Sequence, residues 1–107
     1  MEVLHGLIQQ HFRSHQPVSF YARQLGISPT HLNRVVRAST GHSAHDLIIR
    51  KVMDEAKREL VFTFSSVQTV AFRLGFTDPA YFSRFILKQT GQTPRAWRIS
   101  ERKKIGM

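Results

Sequence analysis

Ala71-Phe72-Arg73-Leu74-Gly75-Phe76-Thr77-Asp78-Pro79-Ala80-Tyr81-Phe82-Ser83-Arg84-Phe85, closing with Thr90-Gly91, is the second statement of a pattern the chain has already used. The first reads Ala22-Arg23-Gln24-Leu25-Gly26-Ile27-Ser28-Pro29-Thr30-His31-Leu32-Asn33-Arg34-Val35 and closes with Thr40-Gly41. The copies are offset by 49 residues from Ala22 to Gly26 and by 50 from Leu32 to Gly41, so the second carries one extra residue near its turn. A duplicated helical unit in a basic chain points to one kind of binding surface used twice.

Each copy has the parts of a helix-turn-helix. That motif needs a small residue where the second helix crosses the first, a turn residue that tolerates positive φ, and apolar anchors on the second helix. Ala22, Gly26, Ile27, Leu32 and Val35 supply them in one copy; Ala71, Gly75, Phe76, Phe82 and Phe85 supply them in the other. Ser28-Pro29 and Asp78-Pro79 each place a capping acceptor before a first-turn proline, which loses no needed donor there.

Working outward, the remaining segments also have helical period. Leu4, Leu7, Ile8, His11 and Phe12 mark a first helix over about 2 to 15, and a short helix with Tyr21 and Ala22 inward covers about 18 to 25. The helix from 29 to about 39 is expected to bury Leu32, Val35 and Val36. Ser43 with Asp46 forms a capping box opening a long helix of about 43 to 61, apolar at Leu47, Ile48, Val52, Ala56 and Leu60. Asp54 and Arg58 are an i,i+4 pair along it. Phe62-Thr63-Phe64 reads as a connector whose aromatics plug the core. Ser65 or Ser66 caps a helix of about 66 to 74, a further helix runs from 79 to 90, and Thr93-Pro94 opens the last, about 94 to 101. The expected fold is all-α: seven helices, with a first helix-turn-helix subdomain over 1–42, a linker helix over 43–62, and a second helix-turn-helix subdomain and basic tail over 63–107.

Charge selects the partner class. Sixteen Lys and Arg against seven Asp and Glu give +9 and a pI near 11.2, favouring a polyanion. Four of the basic residues precede residue 50 and twelve follow, ending in Arg102-Lys103-Lys104, a stretch expected to be a frayed, solvated end. The absence of cysteine excludes a disulfide framework and a thiolate zinc site, and fits a reducing cytoplasm. No apolar run approaches the roughly 18 residues of a spanning helix, and no signal peptide precedes Glu2 and His5. His11 and His15 stand at i,i+4, but nothing completes a metal site around them, and His11 reads as a half-buried helix residue. With no nucleophile elbow, phosphate loop or paired carboxylates, neither an enzyme nor a cofactor is expected.

The exposed faces carry residue types that read DNA. Arg34 and Arg84 occupy equivalent places and suit bidentate contact with guanine O6 and N7. Asn33 suits adenine, and Thr30 a thymine methyl. Pro79 and Ala80 offer apolar contact and Ser83 a short hydroxyl, so the first unit is expected to discriminate bases more and the second to position more. Arg37, Lys88, Arg95 and Arg98 are the candidate phosphate contacts.

Gly75-Phe76-x-Asp78-x-x-Tyr81-Phe82-Ser83-Arg84-Phe85, followed by Lys88, Thr90-Gly91, Thr93-Pro94 and Trp97-Arg98, resembles the signature of AraC-type bacterial transcription regulators. Leu25-Gly26-Ile27-Ser28, His31-Leu32-x-Arg34, Thr40-Gly41 and the Arg50-Lys51, Ala56 and Leu60 positions resemble the first unit and linker, so the likeness covers about residues 3 to 99. It implies recognition helices at about 29–39 and 79–90 entering successive major grooves of double-stranded DNA, with Thr30, Asn33 and Arg34, then Pro79, Ala80, Ser83 and Arg84, facing the groove. Val52, Trp97 and the Pro79-Ala80 pair depart from the usual residues of the family. The expected target is an asymmetric site read by one chain, with dimerisation, if any, through another domain, and RNA polymerase is a candidate second partner. The alternative class is a helical protein-interaction module. Salt separates the two, because each phosphate contact adds about −0.9 to the slope of log K against log salt.

Overall fold

The computed structural model describes residues 1–107 and contains seven α-helices and no strand. They are α1 (Glu2–His11), α2 (Val18–Gln24), α3 (Pro29–Thr40), α4 (Ala44–Phe62), α5 (Val67–Arg73), α6 (Pro79–Thr90) and α7 (Pro94–Lys104), with a 3-10 turn, Phe12–Ser14, continuing α1. Contacts divide the chain into two compact units, Met1–Val52 and Met53–Met107, and the division falls inside the continuous helix α4.

In the first unit α1 stops short of the expected span because its last turn tightens into the 3-10 form and His15 turns left-handed at φ 53°. The core gathers Leu4, Ile8 and Phe12, Tyr21 and Ala22 of α2, Leu32 and Val36 of α3, and the first apolar residues of α4, all buried. Val35, expected among the anchors, is 40% exposed. On a helix Val36 and Leu32 share one face at i,i+4 spacing, and Val35 falls to its edge. His11 is half-buried as expected, its ring edge-on to Phe20 at 4.9 Å.

The second unit builds the same arrangement around Val70, Ala71, Leu74, Phe76, Phe82 and Ile86, with Ala56, Leu60 and Val61 of α4. Here two expectations fail. Phe62 and Phe64 do not plug the core: α4 continues through Phe62, which is 63% exposed, and Phe64 is 92% exposed. Nor does the basic tail fray. Helix α7 runs to Lys104, and Arg102 donates from Nε to the Val61 carbonyl at 3.0 Å and from Nη2 to that of Thr63 at 2.7 Å. Along α4, Arg58 pairs with Glu55 at 3.4 Å.

The helix starts behave as their sequences dictate. Side chains of Ser28, Ser66, Asp78 and Thr93 accept from the N–H of His31, Thr69, Ala80 and Ala96 respectively, satisfying donors that no earlier helical turn can take. The capping box at α4 closes in both directions, Asp46 N–H to Ser43 Oγ at 3.0 Å and Ser43 N–H to Asp46 Oδ2 at 3.4 Å. Those hydrogen bonds from Ser43 hold the Asp46 carboxyl below its ordinary pKa.

Candidate nucleic-acid interface

The two turns are the same object built twice. After α2, the Ile27 N–H reaches back to the Ala22 carbonyl at 3.0 Å, with Gly26 left-handed at φ 71°; after α5, the Phe76 N–H reaches the Ala71 carbonyl at 3.0 Å, with Gly75 at φ 88°. This six-to-one closure needs a residue at ease with positive φ, which is what each glycine supplies. The helix ends match as well. Thr40 Oγ1 donates to the Val36 carbonyl and Thr90 Oγ1 to that of Ile86, both at 2.8 Å, before Gly41 and Gly91 end α3 and α6 in the left-handed region. The extra residue of the second copy is Thr77. With it inserted, Asp78 caps the N–H two residues on, whereas Ser28 caps the N–H three residues on.

Each second helix therefore emerges with one face buried and the opposite face in solvent. On α3, Leu32 and Val36 are buried, while Thr30, Arg34 and Arg37 are exposed at mutual spacings of four and three residues. On α6, Phe82 and Ile86 are buried and Ala80, Arg84 and Lys88 are exposed at spacings of four. Pro79 and Ser83 are half-buried at the edge of that face. Arg84 lies with its guanidinium carbon 5.9 Å from the ring centroid of Tyr81, whose ring is in turn 5.9 Å from that of Phe76. Tyr81 is 57% exposed and borders the solvent face of α6 beside Arg84, a contact the sequence reading missed; its position three residues before Arg84 on one helix was the available signal. Arg95, in the first turn of α7, is exposed.

Two candidates take different places. Arg98 was expected on a phosphate, but its Nε donates to the Leu60 carbonyl at 2.7 Å and its Nη2 to the Ser65 carbonyl at 2.6 Å. Burial and the neighbouring Arg102 push its pKa below the ordinary guanidinium value. With its donors on one backbone oxygen near the end of α4 and one just beyond it, Arg98 is a clamp within the second unit rather than a free cation. Asn33 is half-buried, and its Oδ1 accepts from the Ala44 N–H at 2.9 Å. Bidentate reading of adenine uses both the oxygen and the nitrogen of the amide, and here the oxygen already holds a main-chain N–H.

Two helix-turn-helix units of this build, each presenting an arginine from the solvent face of its second helix, define a DNA-binding domain. A family model described as a helix-turn-helix domain matches residues 21–100. The regulator GlxA of Rhizobium meliloti (strain 1021) is 34% identical over 77 residues, which is 72% of this chain and 24% of that protein. An HTH-type transcriptional regulator of Staphylococcus aureus (strain COL) is 29% identical over 91 residues, 85% of this chain and 12% of its own length. The chain thus spans a quarter or less of these curated relatives.

Among solved structures, the C-terminal domain of AraT, a response regulator from Geobacillus stearothermophilus, superposes with a TM-score of 0.82 at 28% identity, over 92% of this chain and 83% of that one. The DNA-binding domain of AdpA, a global transcriptional factor determined in complex with a target DNA, gives 0.80 at 25% identity over 96% and 93%. The chain belongs to the AraC-type helix-turn-helix family of DNA-binding transcription regulator domains. That is not an enzyme family, and no helix here is long and apolar enough to cross a membrane.

Proposed function

We infer that this domain binds an asymmetric double-stranded DNA site as a single copy, with α3 and α6 reading successive major grooves and so directing transcription of the adjoining genes in the bacterial cytoplasm. The observation that carries this reading is the contrast between frame and face. The turns and helix ends of the two units repeat bond for bond, whereas Thr30 on one solvent face is answered by Ala80 on the other. A repeated frame with unlike faces suits two different half-sites on one strand, not a palindrome. Arg34 and Arg84 would read guanine, Thr30 a thymine methyl, and Pro79, Ala80 and Ser83 would make apolar and hydroxyl contacts. Arg37, Lys88 and Arg95 would hold phosphates.

Adjacent major grooves on one face lie about 34 Å apart. Selection of bound sites from a random DNA pool tests the reading. The expected result is two unlike blocks one helical turn apart, with Arg34→Ala and Arg84→Ala each weakening binding by about 1 to 3 kcal/mol and relaxing preference in a different block. Equal losses from the two variants on random DNA, with the preference profile intact, would make both arginines phosphate clamps and reject the assignment.

A further inference from the structure

The two units solve one problem in different ways, and the difference assigns a role to Asn33. At the offset of 50, Ser43, Ala44 and Asp46 at the start of α4 correspond to Thr93, Pro94 and Ala96 at the start of α7, and Asn33 corresponds to Ser83. In both places the capping hydroxyl accepts from the third helical N–H, Ser43 from Asp46 at 3.0 Å and Thr93 from Ala96 at 3.2 Å. The first helical residue is buried in both. Proline at 94 has no N–H to satisfy. Alanine at 44 has one, buried, and the partner it finds is Asn33 Oδ1 at 2.9 Å, reaching from the middle of α3. Since that partner is an N–H donor, the amide orientation is fixed with oxygen inward.

We propose that Asn33 is a positioning residue: it ties the recognition helix α3 to the start of α4 and sets how α3 is presented to DNA, rather than reading a base itself. Ser83 is released from the same duty because Pro94 removes the donor, so position 83 is open to a groove-facing side chain while position 33 is not. The proposal rests on the reading of α3 as a groove helix.

The test transplants the second unit's solution into the first. Asn33→Ser alone leaves the Ala44 N–H without its acceptor; it should lower the thermal midpoint of the free domain and weaken binding to the selected site about tenfold, with the base-preference profile unchanged. Adding Ala44→Pro removes the orphaned donor, and the double variant should regain the midpoint and bind within about twofold of the parent. If Asn33→Ser proves too unstable to assay, recovery of a folded, binding double variant carries the same support. A double variant that recovers its midpoint but stays weak, with altered preference at one base pair, would make Asn33 a base reader and overturn the proposal. Recovery of neither property would overturn it too. A parent that selects no site would reject the groove reading separately, and the midpoints of the two variants would still accept or reject the Asn33–Ala44 tie.

Discussion

Tyr21 shows what a single residue must settle. Its side chain is wholly buried in the first unit, edge-on to Phe20 at 5.3 Å, yet the hydroxyl has no hydrogen-bond partner. Burial raises its pKa. An unpaired buried hydroxyl costs more than the ring edge that would replace it, so Tyr21→Phe should leave the domain as stable or raise stability by up to about 1 kcal/mol in urea unfolding. The pH dependence has a definite sign. A tyrosine whose folded pKa lies above its unfolded value contributes stability that is intact below about pH 10 and falls as pH rises further, because the unfolded chain ionises first. Tyr21→Phe should remove that alkaline decline, and a loss of more than 1 kcal/mol at neutral pH would show that the hydroxyl has a native partner after all.

At the scale of elements, α7 is the part whose role changed most between sequence and structure. Buried Glu101 pairs with Lys104 at 3.0 Å and Lys57 at 3.4 Å, joining α7 to α4 within the second unit. The hydrogen bond from Lys104 and the charges of Lys104 and Lys57 hold its carboxyl below the ordinary range despite burial. A depressed folded pKa contributes stability that is present above about pH 4 and lost as pH falls through the folded value. Glu101→Gln should therefore cost stability at pH 7 and show a shallower decline below about pH 4 than the parent in acid unfolding; parallel acid limbs would refute it.

The elements legible in advance were those whose signal is local. Proline-preceding caps at Ser28, Asp78 and Thr93, the glycines at 26 and 75, and the α4 apolar stripe from Leu47 to Leu60 all act within a turn or two of themselves. What the sequence could not disclose depends on partners about 40 residues away. Arg98 looked like a phosphate contact and Arg102 like part of a solvated tail because the carbonyls they hold, at Leu60, Ser65, Val61 and Thr63, are main-chain groups with no signature in residue type. Phe64 looked like core for the converse reason: apolar character says a side chain gains by burial, not that a site for it exists.

For the whole molecule, the distinction between structural and DNA-facing cations is a measurable one. Arg98→Ala should destabilise the domain by about 2 to 3 kcal/mol, since two carbonyls lose charged donors, while leaving the salt dependence of DNA binding unchanged. Arg37→Ala should do the opposite, leaving stability within about 0.5 kcal/mol and reducing the slope of log K against log salt by about 0.9 on any DNA sequence. Titrations at several salt concentrations beside a denaturation series separate them, and a fall in the salt slope for Arg98→Ala would return that residue to the interface.

The same pair of arginines has a consequence for how such a chain drifts over time. Arg98 and Arg102 grip carbonyl oxygens, which every amino acid carries, so the grip itself does not depend on which side chains the held residues bear. The two arginines have no such latitude, since lysine lacks the forked guanidinium that reaches two oxygens at once. Variation should spare the side chains that do the holding and collect at Phe62, an exposed position where new surface chemistry can be tried at little structural cost.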